Sequence, residues 1–279
     1  MAFKTLLTVL TTEETGASAL EAGIDLARGF DAHLEVICLG LDRSHASYYE
    51  LGANATVMQA AIQNAHEKAE TIRVGAAARL EKSDIRWDAS DAVSMGADAG
   101  RAVVSAGRFA DMAVLPLPYG ETVQPEDSAV LEALLIEARC PTLVVPAGIS
   151  AKPAPERVVI GWNESPEALR AVRAALPVLQ TAANVHITII DPPAHGSDRS
   201  DPGGALATYL SRHGVHCDIQ VMSGSGGSVS DRLARHVQET GADLLVMGGY
   251  GHSRFREAIL GGATRNMLEH AKVPVLMMH

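Results

Sequence analysis

The chain has 279 residues, of which 47% are hydrophobic and 20% are charged, so it can bury a large core. This length suits two domains of about 140 residues each rather than one small α/β unit. The formal net charge is −10, and residues 1–150 carry 11 basic and 21 acidic side chains, whereas residues 151–279 carry 12 of each. An acidic chain without a basic stripe is a poor candidate for binding nucleic acid or an anionic membrane, and the neutral second half is the better host for a triphosphate.

Cysteine usage and apolar run lengths indicate the compartment. Cys38, Cys140 and Cys217 are scattered and form no CxxC pair, which favours reduced, buried thiols over disulfides. The N-terminal segment MAFKTLLTVLTTEET predicts a first strand and not a signal peptide. No apolar run approaches the ~18 residues of a membrane span. We therefore expect a cytoplasmic protein.

The first half alternates apolar runs with segments of helical periodicity. Strands are predicted at 3–10, 33–39, 85–89, 111–115 and 141–145, and helices at 17–30, 59–80, 100–107 and 128–138. Residues 42–58 have no regular pattern. Strands that alternate with helices predict a parallel sheet with helical crossovers.

A proline-rich segment then separates two halves of similar design. Residues 146–155 (PAGISAKPAP) hold three prolines and a glycine, which predicts a stiff linker between a domain at 1–147 and a domain at 156–279. In the second half, strands are predicted at 157–161, 185–190, 215–222, 244–247 and 273–278, and helices at 165–176, 228–240 and 263–270.

The two halves also match in sequence. Ala110-Asp111 matches Ala242-Asp243 at an offset of 132, and the segment 140–144 matches 273–277 at an offset of 133. Nearly equal offsets on either side of a loop indicate one unit present twice.

A glycine-rich stretch follows the strand at 244–247. Gly248, Gly249 and Gly251 end that strand, and Gly261 and Gly262 precede the last helix. A strand, a glycine loop and a helix start together offer backbone N–H groups and a helix dipole to a phosphate. Simple turn glycines are the alternative.

This stretch resembles the nucleotide loop of the universal stress protein (UspA) family. The resemblance rests on Gly248-x-x-Gly251, nine further residues and Gly261, followed by AKVPVLMM, which resembles that family's closing strand. It covers the chain as a tandem pair, more strongly in 156–279 than in 1–147. It implies an α/β fold of two tandem, doubly wound parallel-sheet domains that are UspA-like, Rossmann-like and adenine nucleotide alpha hydrolase-like.

The resemblance also implies that the second domain binds ATP, with or without Mg2+. In the ATP-binding branch the second glycine is followed by Ser or Thr, whereas here Gly262 stands there and the first hydroxyl belongs to Thr264. His252 and Arg254 would supply positive charge or donors beside the phosphates. The implied nucleotide-binding residues are Gly161, Trp162, Asn163, Ile189, Met247, Gly248, Gly251, His252, Arg254, Gly261, Gly262, Ala263 and Thr264.

Three of these residues would contact the nucleoside. Asn163 stands where ATP-binding relatives carry Asp, and its amide can hydrogen-bond a ribose hydroxyl or an adenine edge; an Asx turn is the alternative. Trp162 would form a wall of the base pocket or pack in the core, and the backbone of Ile189 would meet the adenine.

The first copy lacks these features. Opposite Gly248 to Gly251 stand Pro116-Leu117-Pro118-Tyr119, and the prolines remove N–H donors. Opposite Gly261 and Gly262 stand Ser128 and Ala129. We expect the first domain to be a degenerate partner that pairs with the second through the closing strands, as an intramolecular pseudo-dimer or within a homodimer.

Other chemistry has weaker support in the sequence. His213, His216 and Cys217 lie within five residues, but strand periodicity puts His216 and Cys217 on opposite faces, so no metal site is predicted. GxSxG, Walker and Rossmann fingerprints are absent from the sequence, and no catalytic residue is predicted. The interpretation is a universal stress protein whose nucleotide acts as a switch for an unknown protein partner. A nucleotide-free scaffold and a slow ATPase are its rivals.

Overall fold

A computed structural model describes residues 3–42, 55–120, 123–192, 201–223, 227–250 and 262–279. The chain divides into two compact units, Phe3–Thr142 and Leu143–His279. In each unit, helices pack on a sheet whose strand pairings are parallel. The α/β class and the parallel sheets predicted from the alternation of strands and helices are confirmed.

The first unit has a four-stranded arrangement in the order β3-β2-β1-β4. Its strands are β1 Thr5–Leu10, β2 His33–Asp42, β3 Arg86–Met95 and β4 Met112–Pro116. Its helices are α1 Glu13–Phe30, α2 Ala55–Leu80, α3 Ala99–Gly107 and α4 Pro125–Glu132. Helix α4 continues into a π-helical turn, Ala133–Glu137.

The second unit repeats this design in the order β10-β9-β6-β7-β8. Strand β5, Thr142–Val145, begins at the division between the units. The following strands are β6 Arg157–Gly161, β7 Asn184–Ile190, β8 Cys217–Met222, β9 Leu244–Gly248 and β10 Val275–Met278. The helices are α5 Pro166–Leu179, α6 Gly204–Arg212, α7 Val229–Thr240 and α8 Gly262–His270.

The core follows the continuous apolar runs. Leu6 and Leu7 of β1 and Val158, Val159 and Ile160 of β6 are all 0% exposed. Adjacent residues of a strand point to opposite faces, so their joint burial means that helices or loops cover both faces of these strands. Hydrophobic burial of this kind is the main favourable term for the fold.

Some predicted boundaries were wrong. Helix α1 begins at Glu13, not at 17, because Thr12 caps it by accepting a hydrogen bond from Thr15 N at 3.2 Å. Strand β3 extends to Met95, not 89, and pairs along its whole length with β2. Its sequence is polar and partly exposed, so it lacks the apolar pattern by which a strand is predicted. Helix α6 was not predicted, because its buried stripe consists only of Leu206 and Leu210.

All three cysteines are free. Burial raises the pKa of the Cys38 and Cys140 thiols to about 12 in each case, so both are poor nucleophiles at neutral pH. Among the described residues, no helix is both long enough and apolar enough to cross a membrane.

Candidate functional site

The carboxyl ends of three strands meet at one edge of the second unit. Strand β6 lies between β7 and β9, and its last residue, Gly161, is in register with Thr188 of β7 and Met247 of β9. The chain leaves β6 towards β7 on one side and later enters β9 on the other. In open parallel sheets, such a switch point forms the crevice in which ligands bind.

Two local hydrogen bonds hold the residues that follow β6. Trp162 N donates to Thr188 O at 2.9 Å, which keeps the half-buried Trp162 beside the end of β7. Asn163 is exposed, and its Oδ1 accepts a hydrogen bond from Ser165 N at 3.2 Å. This is the Asx turn that the sequence left as the alternative. It uses only the oxygen, and Asn163 Nδ2 forms no hydrogen bond with the described residues.

That turn leads directly into α5. Ser165 caps the helix, with its Oγ accepting from Ala168 N at 3.1 Å, and Pro166 occupies the first turn, where a missing N–H costs nothing. Glu167 in the same turn is paired with Arg170 at 3.0 Å. The start of α5 is therefore fixed beside the crevice.

Gly248, at the end of β9, lies against this first turn. A Cβ at position 248 would be 2.6 Å from Ala168 N and 2.9 Å from the side chain of Glu167. Real Cβ atoms do not approach other atoms this closely, so only glycine fits here. Gly248 thus has a packing reason to be glycine that is independent of any ligand.

Beyond Gly248 the backbone connects to both α8 and the last residue. Gly249 N donates to Met278 O at 2.9 Å, and His279 Nδ1 is 3.2 Å from Gly249 O. Tyr250 has a left-handed φ of 55°, and its N–H donates to Thr264 Oγ1 over 3.5 Å. The first residues of the glycine loop are therefore in contact with the first turn of α8.

The structure brings only part of the predicted site together. Ile189, at the end of β7, is 5% exposed, and Met247 is half-buried at the end of β9. Gly262 and Ala263 form the first residues of α8. Four predicted residues lie outside the described part of the chain: Gly251, His252, Arg254 and Gly261.

Sequence reasoning missed an ion pair at the same edge of the sheet. Arg232 of α7 is 6% exposed; its guanidinium contacts the Asp191 carboxylate and donates from Nη2 to Met222 O at 2.9 Å. Asp191 has a left-handed φ of 47°. The two partners are 41 residues apart, and the only available signal was an arginine on the apolar side of an amphipathic helix.

The corresponding edge of the first unit has different chemistry. Strand β4 runs into Pro116 and the buried Pro118, neither of which has an N–H donor. Asp127 at the start of α4 is 7% exposed and accepts hydrogen bonds from Thr11 Oγ1 at 2.6 Å and Gln124 N at 3.0 Å. A fixed carboxylate thus lies beside the end of β1.

Comparisons with known proteins agree with this architecture. Residues 155–279 match the model of the Universal stress protein family. The curated protein "Universal stress protein Slr1230" from Synechocystis sp. is 28% identical over 97 residues, which are 32% of this chain and 33% of that protein's length.

Two solved structures extend the comparison. A universal stress protein from Archaeoglobus fulgidus superposes with a TM-score of 0.68 at 16% identity, covering 98% of this chain and 97% of that one, which shows a shared fold along the whole chain. A universal stress protein in complex with cAMP is 27% identical, covers 45% of this chain and 98% of its own, and has a TM-score of 0.38. The family match covers residues 155–279, somewhat under half of the chain, and the likeness to the Archaeoglobus fulgidus structure shows that both units share its fold.

Proposed function

We propose that the second unit binds an adenine nucleotide in the crevice beyond β6 and β9. The observation that carries the proposal is the switch point at β6, where the ends of β6 and β9 lie beside the start of α8. This is the position at which parallel α/β sheets take nucleotides. The neutral charge balance of residues 151–279 is compatible with an anionic ligand.

The phosphates would lie at the N-terminus of α8. The first turn of a helix leaves backbone N–H groups without intrahelical partners, and its dipole favours an anion. Thr264 lies in this turn, and its present bond from Tyr250 N is long at 3.5 Å. A long bond is weak, so a phosphate oxygen would replace it at little cost and accept from both groups.

The nucleoside would lie towards β6 and β7. Asn163 has its Oδ1 occupied by the turn, but its Nδ2 can donate to a ribose oxygen or an acceptor on adenine. The half-buried Trp162 offers apolar surface at the same edge, and Ile189, which is 5% exposed, would offer its backbone. Small-molecule sites are usually lined by apolar side chains with a few polar groups among them.

The nucleotide would act as a regulatory ligand in a cytoplasmic stress-response protein. Its arrival would exchange the Tyr250 to Thr264 contact for contacts with phosphate, and so change the surface near β9 and α8 that a protein partner meets. Burial raises the pKa of all three free cysteines, which suits a reducing compartment.

Titration calorimetry on the full chain tests this proposal. ATP, ADP, AMP and cAMP would be compared, each with and without Mg2+. Thr264→Val, which keeps the shape but removes the hydroxyl, should weaken the preferred nucleotide ~10-fold, because a hydrogen bond to a charged group is lost. Thr181→Val is the matched control, because among the described residues the Thr181 hydroxyl bonds to Val178 O alone, at 2.8 Å.

A gain-of-affinity variant completes the test. Gly262→Ser restores the hydroxyl residue that follows the second glycine in ATP-binding relatives, and we expect ATP to bind ~3- to 10-fold more tightly. Ala183→Ser, at an exposed position just before β7 and therefore at the opposite end of that strand, is the control. Absence of binding by all four nucleotides would reject the proposal and leave a nucleotide-free scaffold.

A further inference from the structure

The first unit, whose nucleotide loop is degenerate, contains a cavity of about 350 Å³. This volume is within the ~300–1,000 Å³ range of small-molecule sites. The cavity lies between the carboxyl ends of β1 and β2 and helix α2. It is lined by residues 11–13, residues 39–41, Lys68, Thr71, Ile72 and Gln124.

The lining combines an apolar floor with polar walls. Leu39, Leu41 and Ile72 are 0%, 9% and 7% exposed. Thr71 on α2 and Gln124 before α4 add a hydroxyl and an amide. Such a lining fits a molecule with a short apolar body and polar groups at its ends.

Two side chains of opposite charge belong to this lining. The Glu13 carboxylate lies over Gly75 of α2, since a Cβ at position 75 would collide with Glu13 Oε1. Lys68, Thr71 and Gly75 follow the i, i+3, i+7 spacing of one helix face, which places Lys68 about 10 Å before Gly75 along the axis. Neither Glu13 nor Lys68 forms an ion pair within the described ranges of the chain.

Phosphate is disfavoured at this cavity. Thr11 and Gln124, two of its lining residues, both donate to the buried carboxylate of Asp127, at 2.6 Å and 3.0 Å. A phosphate placed there would face that fixed negative charge, and the prolines that follow β4 offer no N–H groups in compensation. A ligand with one positive and one negative group meets no such penalty.

We propose that the first unit binds a small, phosphate-free zwitterionic metabolite in this cavity, with Glu13 facing its cationic group and Lys68 its anionic group. The chemical class is that of an amino acid or a betaine. The two units of the chain would then report on different ligands, a zwitterion in the first and a nucleotide in the second.

Thermal unfolding of the full chain tests this inference. The probes are the protein amino acids and glycine betaine, each added alone, with ATP in parallel samples. At a probe concentration about a hundred times its Kd, a binding zwitterion should raise the unfolding midpoint by ~5 °C or more.

Two variants should abolish that rise. The double variant Glu13→Gln with Lys68→Met removes both charges, and Thr71→Phe fills the cavity from an exposed helix position. The matched controls are Glu81→Gln with Lys82→Met and Val74→Phe, which change exposed residues outside the cavity. These controls should keep the full shift.

Three results would overturn the inference. The first is that no probe raises the unfolding midpoint. The second is that the rise persists in both cavity variants. The third is that Thr71→Phe removes a shift of the midpoint caused by ATP. The ATP samples keep this test separate from the proposed nucleotide site, because a shift by ATP that is unaffected by Thr71→Phe belongs to the second unit whether or not a zwitterion binds.

Discussion

At the residue scale, Gly248 shows how packing and ligand binding make similar demands on a sequence. It ends β9 directly against the first turn of α5, where a side chain has no room. In the proposed nucleotide site, a glycine here would also allow a ligand to approach the backbone closely. A glycine pattern alone therefore cannot tell which demand applies.

Gly248→Ala should destabilise the second unit. Its Cβ would meet Ala168 N at 2.6 Å, which is backbone and cannot move aside as a flexible side chain can. We expect a loss of ~1–3 kcal/mol in the free energy of unfolding, measured by urea titration. Gly96→Ala is the control, since its Cβ would meet only the end of the Glu126 side chain at 3.0 Å. Equal stability of the two variants would contradict this explanation of Gly248.

His236 on α7 predicts a dependence of stability on pH. It is 4% exposed, and its Nε2 has no hydrogen-bond partner among the described residues. Burial, and then the charge of nearby His186, lowers the pKa of His236 below its ordinary value. The unfolded chain takes up this proton near pH 6.5 while the folded chain resists it. The free energy of unfolding should therefore fall as the pH falls below ~6.5, and this group should have no effect above that range.

Substitution at His236 tests that dependence. His236→Leu should flatten the fall in urea midpoint between about pH 7.5 and pH 5, because the group that binds the extra proton in the unfolded chain is gone. His66→Leu, at an exposed position of α2, should keep the fall seen in the unmodified chain. An unchanged slope in His236→Leu would show that other groups cause it.

At the element scale, Arg232 joins the ends of two strands to a helix. It reaches from α7 to Asp191 after β7 and to Met222 at the end of β8. The Arg232 side chain is 8% exposed, so water competes little for its bond to Met222 O, whereas the Asp191 carboxylate is 49% exposed. Loss of the guanidinium would leave Met222 O without this donor.

Arg232→Met should cost ~1–3 kcal/mol of unfolding free energy, because it keeps the aliphatic stem but removes the bond to a backbone carbonyl. Arg235→Met, an exposed arginine of the same helix, should change the value by less than ~0.5 kcal/mol. Hydrogen exchange at the ends of β7 and β8 should accelerate only in Arg232→Met. Acceleration in neither variant would mean that Arg232 does not hold these ends.

The central strands were predictable and the edges were not. Strands β1 and β6 consist mainly of buried apolar residues because both faces are covered, whereas the edge strand β3 has a mixed, polar and partly exposed sequence. The Arg232 contact with Asp191 joins residues too distant in sequence to be seen as a pair. The resemblance to a known family pointed to residues that follow β6 and β9. The Asx turn of Asn163 and the packing of Gly248 can be seen only in the three-dimensional structure.

At the scale of the whole molecule, the two units share a design and differ at the carboxyl ends of their strands. The second unit offers glycines and a helix start there, and the first offers prolines and the buried carboxylate of Asp127. The acidic excess lies in the first half of the sequence. Pairing of the units through their closing strands as a pseudo-dimer stays a prediction.

Photo-cross-linking of the full chain with 8-azido-ATP, followed by peptide mapping, tests most directly whether the second unit holds the nucleotide. We expect label within residues 156–279, and we expect unlabelled ATP to remove it in competition. Label that ATP displaces from residues 1–147, or no label that ATP displaces, would contradict nucleotide binding by the second unit.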